Sequence, residues 1–196
     1  MKPLYFLIVT FLACIFSAPA SAIDLRLSGT TLYLSGLIKP GDEYKFRDFI
    51  EGKQINYINL KSSGGQIRVA GDIGRQIRSK SITTVVDASN NFCRSACTII
   101  FAAGKQRIYS NAEKIKDGVT KLKGTGLAYH EANNWLRDGR RGQSGAGTAE
   151  VINWYYEFGT PNAAKLVTKA GWKEYYYISS STAKALGIAT STQIKQ

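Results

Sequence analysis

A single histidine, His130, is the whole supply of imidazole in this chain, and only three cysteines accompany it among 196 residues. That shortage excludes centres built from several imidazoles, and thiols at Cys93 and Cys97 with one distant histidine do not make a zinc site. The sequence holds no P-loop, dinucleotide fingerprint or metal-ligand cluster. Any site is therefore expected to consist of protein groups alone, with no metal and no cofactor. Carboxylates are also scarce: 14 Asp and Glu face 26 Lys and Arg, a formal net charge of +12. So basic a chain is drawn to anionic surfaces, whether lipid, cell-wall polymer or acidic protein. The charge is spread, as at Lys114, Lys116, Lys121, Lys123, Arg137, Arg140 and Arg141, in the manner of a solvated surface. Internal repeats and low-complexity tracts are absent, and 44% hydrophobic with 20% charged residues is a globular composition.

Long apolar runs are missing after the first residues. MKPLYFLIVTFLACIFSAPASA has a cationic start at Lys2, an apolar run from Leu4 to Phe16, and ends in Ala20-Ser21-Ala22. That is the small-x-small pattern after which a signal peptidase cleaves. The run is too short to span a bilayer comfortably, so residues 1–22 read as a signal peptide and 23–196 as one exported domain. Cleavage removes only the charge of Lys2, taking +12 to +11. The expectation is a periplasmic protein with no transmembrane span after cleavage, no nucleic-acid partner, and an anionic envelope surface as one candidate partner. In an oxidising compartment Cys93 and Cys97 can bridge. One helical turn holds i and i+4 side chains at the edge of disulfide geometry, so two buried thiols are an equally good reading.

Hydrophobic patterning predicts an α/β fold. Residues 25–38 alternate like a β-ribbon broken at Gly29 and Gly36, and EYKFRDFIE places Phe46, Phe49 and Ile50 on one helical face. INYINL and ITTVVD read as buried parallel strands on either side of a helix carrying Ile67, Ala70, Ile73 and Ile77. Strand and helix alternating through short loops indicates right-handed crossovers and a parallel sheet. Residues 95–103 read as a helix, QRIYS and GLAYH as strands, and 111–125 as a polar stretch. RDGRRGQSGAGT reads as a flexible loop. Helices over 149–158 and 162–170, a strand at YYYIS, and a short helix ending at Gly187 complete the chain.

Three features stand at predicted strand ends, where open α/β sheets form ligand crevices. SSGG at 62–65 leaves backbone N–H groups unhindered at a helix start, although a plain tight turn has the same composition. Ser95 opens a helix, as a nucleophile or as an ordinary N-cap. His130 follows an apolar strand, where a general base is presented to a cleft. A carboxylate to orient it is harder to find, and Glu174 at the start of YYYIS is the best candidate. Glu131 adjoins the histidine but points to the opposite face.

Taken in order, these segments resemble the ClpP/crotonase superfamily, in particular the proteolytic subunit of Clp protease and its exported relatives. LYLSGLIKPGD resembles the opening strand and turn, and INYINLKSSGGQIRVAGDIGRQIR the strand, Gly-Gly turn and helix that follow. ITTVVDASNNFCRSACTIIFAAGKQRI resembles the nucleophile segment, LAYHEA the strand bearing the histidine, and YYISSSTAKALGI the closing motif. The resemblance spans about Leu32 to Ala189 and implies a repeated β-β-α superhelix with a mostly parallel sheet. It implies Ser95 as nucleophile, His130 as base, and the N–H groups of Gly65 and Ala96 as an oxyanion hole. An extended peptide or unfolded segment would lie along Gly64, Gly65 and Gln66 as an added strand. A homo-oligomer is implied as well. Three departures stand out. Ser63 replaces a proline, the serine-to-histidine spacing of 130 − 95 = 35 is wider than in the Clp subunit, and Tyr175 occupies the place of the catalytic aspartate. Glu174 is the neighbouring substitute. The expected function is an ATP-independent serine peptidase. Its alternative is a module on the same fold that binds a peptide or envelope component without cleaving it.

Overall fold

Alternating apolar residues build the first hairpin, in which β1 (Asp24–Ser28) and β2 (Thr31–Ser35) pair antiparallel and turn at Gly29, φ +57°. The structure is a computed structural model describing residues 22–193; apart from Ala22, the segment read as a signal peptide lies outside the described residues. Helix α1 (Asp42–Ile50) buries Phe46 and Ile50, and β3 (Tyr57–Lys61) follows it. Helix α2 (Ile67–Ser79) turns Val69, Ala70, Ile73 and Ile77 inward at the predicted helical spacing before β4 (Thr83–Asp87). The chain continues as β5 (Phe92–Arg94), α3 (Cys97–Ala102), β6 (Arg107–Ser110), β7 (Gly118–Thr120) and β8 (Gly126–Tyr129). It ends with β9 (Asn133–Trp135), β10 (Arg141–Gln143), α4 (Gly145–Glu157), α5 (Pro161–Val167), β11 (Tyr175–Tyr177) and α6 (Ser180–Ala185).

The main sheet runs β1-β2-β3-β4-β6, and its last three pairings are parallel, as the crossover pattern requires. A second sheet runs β5-β8-β11-β7, parallel at β5-β8 and antiparallel elsewhere. The two meet where Ser62, past the end of β3, bridges Cys93 of β5. One continuous apolar cluster joins the layers, with Leu32, Ile58, Phe101 and Tyr155 fully or almost fully buried. Burial of this many apolar side chains is the main favourable term for the fold. Among the described residues no helix is long and apolar enough to cross a membrane.

Three segments differ from the sequence expectation, each because a tertiary partner overrides local pattern. Phe92–Arg94 is a strand, held by parallel pairing with Gly126–Ala128, so α3 begins later than expected. The polar stretch contains β7, which β11 recruits through Tyr175–Tyr177. The Gly/Arg-rich segment forms the β9-β10 hairpin, with Gly139 at φ +76° in its turn and Arg141 stacked on Trp135. Helix α4 accordingly starts at Gly145, where the Ser144 hydroxyl accepts from the Gly147 N–H.

Candidate active site

Ser95 is fixed from both sides by backbone. Its N–H donates to the Ala128 carbonyl at 3.0 Å, and its own carbonyl accepts from the Thr98 N–H at 2.9 Å and the Thr98 hydroxyl at 2.5 Å. Between these anchors the residue is forced to φ +54°, left-handed and not glycine. Such a conformation costs about 1–3 kcal/mol and persists only where its surroundings over-determine it. It lifts the side chain off the end of β5 just before α3 starts. Ser95 is therefore not the N-cap of α3; that position belongs to Ala96. A disulfide between Cys93 and Cys97, with Cα atoms 5.2 Å apart, straddles the serine.

The glycine pair abuts this turn. A Cβ on Gly64, at φ +92°, would lie 2.7 Å from both the Ser95 Cβ and the Arg94 carbonyl and 2.8 Å from the Ala96 nitrogen. Only glycine permits that approach. Gly65, at φ +142°, bridges Ile38, whose carbonyl would lie 2.0 Å from a Cβ there. The Ile38 N–H donates to the Gly64 carbonyl at 2.9 Å, and the Gln66 N–H donates to the Ile38 carbonyl at 3.1 Å. These bonds occupy the flanking groups. No hydrogen bond among the described residues takes the N–H of Gly65 or of Ala96. One backbone donor without a partner thus follows Ser95 directly, and a second, at Gly65, belongs to the cleft that Ser95 lines.

His130 follows β8 directly. The parallel pairing ends at Arg94↔Ala128, and the Ser95 N–H then bonds the carbonyl of Ala128, two residues before His130, so strand pairing brings the serine turn to the end of the strand that leads into the histidine. Both residues line one cleft of about 880 Å³, with Gly65, Thr98 and Tyr175. No hydrogen bond joins the Ser95 hydroxyl to the imidazole in this structure. The ring is 9% exposed, and its Nδ1 is the nitrogen sealed off without a partner. Burial pushes the His130 pKa below its ordinary value, and a weaker interaction with the Glu131 backbone opposes this.

What stands beside the ring is Tyr175. The register Tyr176↔Tyr129 sets it across from His130, and the rings meet edge to face at 5.1 Å. Glu174 is not part of the cleft wall; its N–H is tied to the Gly171 carbonyl, and the structure does not bring it together with His130. Glu174 lies in the turn that precedes β11, so the pairing that sets Tyr175 across from His130 does not extend to it. Arg94, 6% exposed, also lies against Tyr175, its guanidinium carbon 5.7 Å from that ring and 4.1 Å from Phe92. Its Nη1 donates to the Gly124 carbonyl, while Nε has no partner. Among the described residues no cluster of His, Cys, Asp and Glu able to hold a metal occurs.

Sequence reasoning missed the left-handed serine, the Thr98 anchor and the cations that share the cleft. A serine between two cysteines one turn apart was the available signal for a constrained backbone.

No protein-family model matches the chain, and no curated protein matches it by sequence. Solved structures do match. A serine-to-alanine mutant of the 1510-N membrane-bound stomatin-specific protease superposes with TM-score 0.59 and 14% identity, over 82% of this chain and 77% of that one. A lysine-to-alanine mutant of that protease in complex with a substrate peptide gives TM-score 0.57 and 15% identity, over 82% and 73%. A ClpP1 mutant from Listeria monocytogenes gives 0.51 and 14%, over 85% and 92%. The chain has the ClpP/crotonase fold.

Proposed function

We propose that the protein is an ATP-independent serine peptidase of the bacterial envelope, acting on extended or unfolded peptide segments. The observation that carries this reading is Ser95 held left-handed in one cleft with His130 and with two unoccupied backbone donors, its N–H bonded to the strand that precedes His130. The Ser95 Oγ attacks the scissile carbonyl while His130 Nε2 accepts its proton. The carbonyl oxygen becomes an oxyanion that accepts from the N–H groups of Gly65 and Ala96, each such donor being worth about 3 kcal/mol in the transition state. Collapse breaks the C–N bond, and the imidazolium returns the proton to the departing amine. Water, deprotonated by the same nitrogen, then hydrolyses the acyl-serine.

The neighbouring protease crystallised with a substrate peptide supports a peptide ligand. The Cys93–Cys97 disulfide and the leader-like residues 1–22 support export to an oxidising compartment. Assembly into a homo-oligomer belongs to the same proposal. Among the described residues no carboxylate bonds the His130 ring, which favours one second reading, a peptide-binding module without turnover.

Hydrolysis of a fluorogenic peptide by residues 23–196 separates the two. Ser95→Ala or His130→Ala should each lower kcat at least about 1,000-fold, leaving the residual rate of binding and oxyanion donors. Equal rates for wild type and Ser95→Ala would leave only the binding module.

A further inference from the structure

We infer that the cleft selects acidic stretches of extended peptide, a substrate class that rests on the peptide-cleft reading above. Four cations line the cleft together with Ser95: Lys39, Arg68, Lys123 and Arg141. They come from four separate places, the turn after Ile38, the first turn of α2, the β7-β8 connection and strand β10. Positive charge therefore comes to the cleft from several elements rather than marking one helix face. The only carboxylate on the same wall is Glu150, which faces Arg68 Nε at 3.9 Å. Lys39, Lys123 and Arg141 have no carboxylate partner among the described residues. Arg141 is instead held in place by Asn133 Oδ1 at 3.1 Å and by the face of Trp135 at 5.0 Å.

A concave wall with one sign of charge focuses its field into the cleft and concentrates ligands of the opposite sign. The charges share the cleft wall with Ser95, so they act on a peptide bound in that cleft. Trp135, 68% exposed on the β9-β10 hairpin, adds an apolar face that a simple polyanion cannot use. The Gly65 N–H, as an oxyanion donor, takes the carbonyl oxygen of the bound peptide. Aromatic surface, backbone donor and unpaired cations together fit an acidic peptide better than a polyphosphate or a lipid headgroup.

Binding to the Ser95→Ala protein tests this without requiring turnover. Three labelled peptides of one length, with Glu, Gln or Lys flanking a common neutral centre, are titrated by fluorescence anisotropy. At low salt the Glu peptide should bind about 10-fold tighter than the Lys peptide, and the ratio should shrink to about 2-fold at 0.5 M salt. The double substitution Lys123→Glu, Arg141→Glu should reverse the order, whereas a chain that failed to fold would lose all three peptides. Should the double variant not fold, Lys123→Gln alone should narrow the ratio. Equal affinities for the three peptides, or an order unchanged by the substitutions, would overturn the inference. So would displacement of the Glu peptide by polyphosphate at equal charge concentration. Binding of none of the peptides would overturn the peptide-cleft reading itself, and absent hydrolysis by the wild type with the preference intact would leave this inference standing alone.

Discussion

At Ser95 the backbone bears the cost and the side chain gains the access. A serine in an ordinary N-cap would direct its hydroxyl to its own helix; the left-handed turn instead leaves the hydroxyl unbonded at the cleft wall. His130 supplies the complementary property. Its imidazole is buried, which disfavours the charged ring and lowers its pKa from the ordinary 6.5. Only the neutral ring accepts a proton, so kcat/KM should fall on the acid side with an inflection below pH 6.5. An inflection at or above the ordinary value would contradict a desolvated base. Stability follows the same linkage. Below the ordinary value the unfolded chain takes up a proton that the folded ring resists, so this residue's contribution declines as pH drops through that window.

At the scale of elements, the site is a product of strand register. Parallel pairing of β5 with β8 sets the serine turn beside the histidine, and antiparallel pairing of β8 with β11 sets Tyr175 across from it. Position 175 is thus the seat from which a carboxylate would reach the imidazole, and Arg94 already lies against it without an acidic partner. Replacing Tyr175→Asp should raise kcat by about 10-fold or more by fixing the ring tautomer. It should also move the acid inflection upward, since a neighbouring carboxylate favours imidazolium. A variant that folds but shows neither change would remove Tyr175 from the role of positioning residue. Much of this arrangement was legible in the sequence. Ser95, His130 and the Gly-Gly turn stood at strand ends because apolar runs of the right length stop there. The exclusion of Glu174 was not legible. It depends on where β11 begins: the strand starts at Tyr175 and Glu174 stays in the turn before it, a boundary set by pairing with β7 and β8. The β9-β10 hairpin was hidden for a different reason: Arg, Gly and Asp read as a loop until Arg141 finds Trp135.

Over the whole molecule, the α/β architecture followed from the crossover pattern, while the second sheet did not. Its strands β8 and β11 match the expected GLAYH and YYYIS, but β5 and β7, three residues each, carry no periodic signal of their own and form because neighbours pair with them. The candidate site rests on this sheet, which presents Tyr175, the lead-in to Ser95 and the strand that precedes His130. The disulfide braces this region by clamping residues 93 and 97 around the nucleophile turn. The disulfide and the cations of the cleft are the features on which the proposed envelope peptidase and its preference for acidic peptides rest.

The central claim is that Ser95 is a nucleophile in the native fold. Intact-mass spectrometry of the oxidised chain, residues 23–196, after fluorophosphonate treatment measures it directly. One adduct should form, map to Ser95, and disappear in both Ser95→Ala and heat-unfolded protein. No adduct on the folded protein, or an adduct that survives Ser95→Ala, would contradict it.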